Sequence, residues 1–252
     1  MWWRSDALFT SEAADRDGLS LSVVVPAYKE EEYIQQTLRE IVNACGDAGI
    51  SCELVVVVDI VPGDKTAAYI REVSESNSKV RVLEHMGRRG VGDAVRAGIS
   101  MARGKVLVVA MGDQSEDPND VVRLAESCVN CDIVFTNRFG HGRPRDYPWV
   151  KYIANRACNI AAKLVVGIPY SDTTNAFKAY NLESLRRVKL TSNGFEIFLE
   201  MPLKVMKSTN IRSQEIQVNH AVRRKKSAKL SVTKDGYGYL RVLLSSLFDS
   251  IY

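Results

Sequence analysis

Leu107-Val-Val-Ala-Met-Gly-Asp113-Gln-Ser-Glu-Asp117-Pro118 is an apolar run that stops abruptly in acidic and polar residues. An earlier segment, Leu21-Ser-Val-Val-Val-Pro-Ala-Tyr28-Lys-Glu30, has the same form. A short apolar run closed by turn residues reads as a buried strand. Outward from these two, the pattern recurs at Leu54–Val58, Val80–Leu83 and Ile133–Phe135, with Val106–Ala110 as the strand of the first segment. Helical spacing fills the gaps. Tyr33, Ile34, Leu38, Ile41 and Val42 share one face, and Val91, Val95, Ile99 and Met101–Ala102 share another. Near-continuous apolar strands alternating with helices predict a doubly wound α/β fold, its mostly parallel sheet covered on both faces. Ligands bind such sheets at the carboxyl ends of the strands. Asp113, Glu30 and Asp59 fall there.

The 252 residues carry a formal charge of only +4. Apolar and charged fractions are those of a folded protein, which excludes wholesale disorder. The basic excess concentrates in Arg223-Arg-Lys-Lys226 and Lys229. It lacks interleaved stacking aromatics, so nucleic acid is not an expected partner. Five scattered cysteines make an odd count without a disulfide pattern, which favours a reducing compartment. Cys128-Val-Asn-Cys131 has no second pair and reads as a helix end followed by a strand start. No run of about 18 apolar residues predicts a spanning helix. The first residues show no apolar signal core, so a cytoplasmic location is expected. His85, His141 and His220 are isolated and read as structural or solvent-facing.

The second half is less regular. Phe139–Trp149 reads as a loop. Val150–Val166 reads as a helix that buries Val150, Ile153, Ala154, Ala157, Ile160, Ala161 and Leu164, with Lys151, Asn155 and Asn159 on another face. Ala176–Tyr180 and Ile211–Val218 read as strands. Phe195–Met206 is expected to be helical despite Pro202. Tyr237–Ile251 is an amphipathic helix that aligns Leu240, Leu243, Leu244, Leu247 and Ile251.

Several motifs occur in one order. They are Val23-Val-Val-Pro26-Ala-Tyr28-Lys-Glu30, then Asp59 before Gly63-Asp64-Lys-Thr66, then Gly90-Val-Gly92-Asp-Ala-Val-Arg96-Ala-Gly98. Met111-Gly-Asp113-Gln-Ser-Glu-Asp-Pro118, Asn137-Arg138-Phe139, Asp172-Thr-Thr-Asn175-Ala-Phe177-Lys-Ala-Tyr180 and Gly194-Phe195-Glu196 follow. Together, over residues 20–245, they resemble family-2 glycosyltransferases of GT-A fold, within which the likeness is greatest to dolichol- or polyprenyl-phosphate mannosyl- and glucosyltransferases. The resemblance implies a metal-dependent inverting transfer of a sugar from a nucleotide-diphosphate donor, GDP-mannose or a UDP-hexose, to a polyprenyl or dolichyl phosphate. It divides the chain into an extension (1–19) and one domain (20–252), with a nucleotide-binding half (20–136) and an acceptor-binding half (137–252).

The resemblance also assigns residues. Pro26, which is expected to end its strand, would hold the nucleotide with Tyr28, Glu30, Asp59, Gly90 and Asp113. Asp113 and Ser115 would ligate Mg²⁺ or Mn²⁺, which stabilises a departing diphosphate. Met111 replaces the earlier acid of the family's Asp-x-Asp, and Glu116 or Asp117 are candidates to assist, Asp117 being mainly a helix cap. Arg138, Lys151, Asn155, Arg223, Arg224 and Lys229 would surround the acceptor phosphate and the diphosphate. Asp113, Arg138 and Lys151 are the expected catalytic set. An anionic phosphate acceptor needs no general base; a hydroxyl acceptor would need one, Asp172 or Glu196. Two readings stay beside this one, a hydroxyl-directed glycosyltransferase and a non-catalytic nucleotide-sugar-binding module. The terminal helix and the Arg223–Lys229 cluster make peripheral membrane contact an expectation. The same leucines also suit core closure or a homodimer.

Overall fold

The computed structural model describes residues 20–86, 89–140, 142–143, 147–218 and 232–248. Strands β1 (Ser20–Ala27), β2 (Ser51–Ile60), β3 (Val80–Met86), β4 (Val106–Val109), β5 (Ile133–Asn137), β6 (Lys178–Asn181) and β7 (Ser213–Gln217) form one sheet in the order β3-β2-β1-β4-β6-β5-β7. β3, β2, β1 and β4 run parallel; β6 is antiparallel to both β4 and β5, and β7 is parallel to β5. The reversed strand was not legible in the apolar pattern, because a period of two is the same in either direction.

Helices α1 (Ile34–Asp47), α2 (Thr66–Ser76) and α4 (Pro118–Cys128) cover one face, against Val23, Val25, Leu54, Val56 and Val58. The other face, with Val24, Val55, Val57, Leu107 and Val109, lies under α3 (Val91–Met101), α6 (Leu182–Arg186) and α7 (Ile197–Met206), joined by residues of α5 (Trp149–Val166) and α8 (Val232–Phe248). Burial on both faces is why the central strands read as unbroken apolar runs. Cys128 ends α4 and Cys131 precedes β5, as expected, and the two are not bonded. Among the described residues no helix is long and apolar enough to cross a membrane.

Pro26 does not end β1. The strand continues to Ala27, with Pro26 opposite Val57 of β2. The pairing of β4 with β1 stops at Val24, so Pro26 lies past that ladder and its missing N–H breaks no bond there. Strand order reverses between β1 and β4. That switch point places the turns after both strands beside one another at the carboxyl edge.

Candidate active site

The turn after β1 brings in the first residues. Tyr28 is half-buried and Glu30 is buried. The Glu30 N–H donates to Thr66 Oγ1 at 2.8 Å, tying this turn to the start of α2, while the Glu30 carbonyl accepts from Tyr33 and Ile34 as α1 begins. Across the switch point Gly112 packs so closely that a Cβ there would lie 2.8 Å from Ile34 Cδ1 and 3.5 Å from Glu30 Cγ. On the other side, Gly90 opens α3 with φ +97°, and an added Cβ would come 2.5 Å from the Asn193 carbonyl oxygen. Only glycine suits that backbone and that approach. Asp59, buried at the end of β2, lies beside His85.

The turn after β4 carries the acids. Asp113 is more buried than a strand-end position suggested, at 6% exposed. Its Oδ1 accepts the Ser115 N–H at 3.2 Å. Glu116 folds back so that Oε2 accepts the Met111 N–H at 3.2 Å, and the Ser115 side chain bonds it too. A carboxyl group therefore sits beside Met111 although position 111 itself is not acidic. Burial, followed by the negative charge of Asp113, pushes the Glu116 carboxyl up to about 8. Two carboxyl groups in one field are a donor set that a hard cation suits, and Mg²⁺ needs only one or two protein carboxylates beside phosphate oxygens. No group of three or more His, Cys, Asp or Glu among the described residues forms a metal cage. Asp117 caps α4, its Oδ1 accepting the Asn119 N–H at 2.9 Å.

The cationic side starts one strand further. Arg138, just past β5, forks onto Asp172 through Nε (2.7 Å) and Nη2 (3.0 Å). Asp172 is fully buried. Burial alone would raise its pKa, but Arg138 outweighs it and holds the carboxyl below the usual range. Burial works against the Arg138 charge as well, and Asp172 again prevails. Arg138 and Glu116 also feel each other's charge, so the acidic and basic groups form one connected site. Asp172 is thus committed to an ion pair and is not placed as a general base. Glu196, the other candidate, accepts the Gly194 N–H at 3.0 Å and lies against Gly238 of α8.

Helix α5 is turned the opposite way from the expected orientation. Its asparagines face inward. Asn155 Nδ2 donates to Thr174 Oγ1 at 2.5 Å, and Asn159 Oδ1 accepts the Thr173 N–H at 2.5 Å. Val150, Ile153, Ile160 and Leu164, predicted to be core, are exposed, Leu164 at 81%. Ala162 is the buried apolar residue of the helix. The loop Asp172–Thr174 offers the Thr174 hydroxyl and the buried Thr173 N–H, and of the faces of α5 the asparagine face is the one that can pair them. Lys151 is half-buried one turn before Asn155 on the same line.

Lys178 was not singled out from the sequence. It is fully buried, with Nζ donating to the carbonyls of Asn175 and, at 3.4 Å, of Phe198. Pro202 lies four residues after Phe198 in α7 and has no N–H to offer that carbonyl, which leaves it free for the lysine. Burial pushes the Lys178 ammonium down to about 7, opposed by Asp172. A lysine inside an apolar strand and a proline inside a helix were the available signals. Arg223, Arg224, Lys229, His141 and His220 lie outside the described residues.

Residues 22–189 match the family described as Glycosyl transferase family 2. The chain is 28% identical over 229 residues to a dolichol-phosphate mannosyltransferase of Pyrococcus furiosus, covering 88% of this chain and 62% of that protein. It is 26% identical over 176 residues to a polyprenol monophosphomannose synthase of Mycolicibacterium smegmatis, covering 68% and 64%. This chain therefore spans less than two thirds of the length of both relatives. Among solved structures it resembles glucosyl-3-phosphoglycerate synthase from Mycobacterium tuberculosis in complex with Mn²⁺, UDP and phosphoglyceric acid. That match has a TM-score of 0.71 at 18% identity, over 92% of this chain and 80% of that one. At such identity the likeness shows the GT-A fold alone.

Proposed function

The chain belongs to glycosyl transferase family 2, and from that premise we propose that it transfers a hexose from a nucleotide-diphosphate donor to a polyprenyl-phosphate acceptor. The observation that carries this reading is the meeting of two unlike groups along the carboxyl edge of the sheet, the Asp113–Glu116 acids and the Arg138–Asp172 pair with Asn155 beside it. Names of relatives that act on dolichol or polyprenol phosphate support the acceptor class.

Tyr28, Glu30 and Asp59 hold base and ribose at the ends of β1 and β2. Asp113, with Ser115 and Glu116 beside it, would hold a divalent cation, which would supply positive charge to offset that of the departing diphosphate. Ser115 gives Glu116 a hydrogen bond in the structure. Arg138 is fixed by Asp172 before any substrate arrives, so its charge needs no reorganisation during transfer. Lys151 and Asn155 extend the same polar line toward the acceptor phosphate. That phosphate is already anionic, and no residue has to deprotonate it. The commitment of Asp172 to Arg138 argues against the hydroxyl-acceptor alternative.

The outward faces of α5 and α8, helices that pack against each other, support membrane contact. Trp149, Val150, Ile153, Ile160 and Leu164 of α5 and Tyr237, Leu240, Leu244 and Leu247 of α8 are all exposed. The charged residues of α5 are Lys151, Arg156 and Lys163, all basic. Apolar residues flanked by cations suit an anionic lipid surface. On this reading α5 presents lipid on one side and the acceptor phosphate site on the other. A second copy of the chain is the competing occupant.

The test is transfer of radiolabelled sugar from GDP-mannose and UDP-glucose to a short polyprenyl phosphate, with Mg²⁺, Mn²⁺ or EDTA. Metal-dependent labelling of the lipid is expected from one donor. Labelling of saccharide acceptors instead would establish the hydroxyl-directed reading. Donor binding without turnover on any acceptor would establish the binding module.

A further inference from the structure

His85 is isolated in the sequence but not in the fold. It stands directly opposite Asp59 in the β2–β3 ladder. Asp93, in the first turn of α3, approaches from a third element. His85 Nδ1 is 3.5 Å from Asp59 Oδ1 and 3.7 Å from Asp93 Oδ2. Both His85 Nδ1 and Asp59 Oδ1 are buried without a hydrogen-bond partner. The second oxygen of Asp59, Oδ2, accepts the Arg89 N–H at 3.2 Å, which holds the chain leading into α3. Asp93 is engaged elsewhere, its Oδ1 accepting from Arg96 at 3.1 Å, and Arg96 continues to Asn193 Oδ1 at 2.6 Å.

Buried polar atoms are nearly always paired, and leaving one unpaired is costly. An unpaired ring nitrogen facing an unpaired carboxylate oxygen is therefore a contact one small side-chain rotation short of closing. A neutral imidazole that carries its proton on Nδ1 donates there, and a carboxylate oxygen accepts more than one hydrogen bond, so Oδ2 can serve Arg89 and a ligand together.

We propose that His85 is a positioning residue of the donor site, whose Nδ1–H closes on Asp59 Oδ1 and fixes the carboxylate that meets the nucleoside. The inference rests on the donor-site reading of Asp59. On that reading the diphosphate lies at the Asp113 side of the sheet edge, so the effect of His85 is confined to the base and ribose.

The experiment is calorimetric titration of the full chain with UDP, with GDP and with inorganic pyrophosphate, each with Mn²⁺. His85→Leu is expected to weaken the preferred nucleoside diphosphate about tenfold, the scale of one hydrogen bond to a charged group, and to leave pyrophosphate unchanged. In His85→Asn the amide nitrogen takes the place of Nδ1, and most of the affinity returns. His85→Gln places its amide at the other ring nitrogen and does not restore it. If His85→Leu does not fold, the contrast between Asn and Gln carries the test alone. Wild-type affinity in His85→Leu, equal binding by the Asn and Gln variants, or a matching loss for pyrophosphate would each overturn the inference. A wild-type chain that binds pyrophosphate as tightly as either nucleotide would remove the donor-site reading and this inference with it.

Discussion

Asp172 and Glu116, two carboxyl groups of the candidate site, are shifted in opposite directions, and each leads to a measurable consequence. Asp172 is held below its ordinary value of 3.8 by Arg138. A depressed carboxyl stabilises the fold above its unfolded pKa and loses that contribution as pH falls through the native one. Asp172→Asn is expected to cost roughly 3–5 kcal/mol at neutral pH, since it leaves a buried guanidinium without its partner. In denaturant titrations across pH the gap between variant and wild type should shrink below 3.8; a gap independent of pH would mean that packing, not charge, sets the loss. At Asp113 the expectation concerns chemistry. Asp113→Asn keeps the side-chain shape and should abolish metal-dependent transfer while leaving the melting temperature near that of wild type. It should also bring the Glu116 carboxyl down from about 8, because Asp113 is one of the two groups of causes that raise it. Full transfer activity in the folded variant would remove Asp113 from the metal site.

Helix α5 shows where sequence pattern informs and where it stops. Periodicity correctly separated an apolar face from the Lys151–Asn155–Asn159 line, but it could not say which face points inward. The answer came from Asp172–Thr174, in the segment after the helix, whose polar groups are paired by Asn155 and Asn159. The β1, β2 and β4 strands were legible because burial on both faces leaves only apolar residues. The ends of those strands were legible as candidate site positions for the same reason, since polarity returns where the sheet stops. His85 beside Asp59, and Lys178 beneath the Phe198 carbonyl, were not legible, because each depends on contacts between elements that no local spacing records. The orientation of α5 is itself testable. Asn159→Leu should destabilise the fold by about 1–3 kcal/mol by leaving the Thr173 N–H unpaired. Leu164→Lys, on the outer face, should fall within about 0.5 kcal/mol of wild type. The reverse ranking in chemical denaturation would restore the original orientation.

For the whole molecule, the proposed function asks the sheet edge and the α5–α8 face to serve one event, in which a lipid-linked phosphate would reach Arg138 while its chain stays in a bilayer. The exposed apolar residues of both helices lie on packed neighbours, and the charged residues of α5, the helix nearer the proposed acceptor site, are all basic. Attraction to anionic headgroups is worth about 1 kcal/mol per basic residue near the surface and weakens with salt, whereas insertion of apolar side chains does not. The full chain is therefore expected to sediment with phosphatidylglycerol vesicles at low salt, and to retain part of that binding at moderate salt. Replacing Ile153 and Leu244 together by Glu removes one apolar residue from each helix and adds charge of the repelled sign. Vesicle binding should be lost while the melting temperature holds, because both positions are exposed. Transfer to a water-soluble short-chain polyprenyl phosphate should survive in the same variant, which separates membrane contact from the chemistry of the site. A double variant that still binds vesicles would place the contact elsewhere on the chain. One that changes from dimer to monomer in analytical ultracentrifugation would assign the face to a second copy instead of a bilayer.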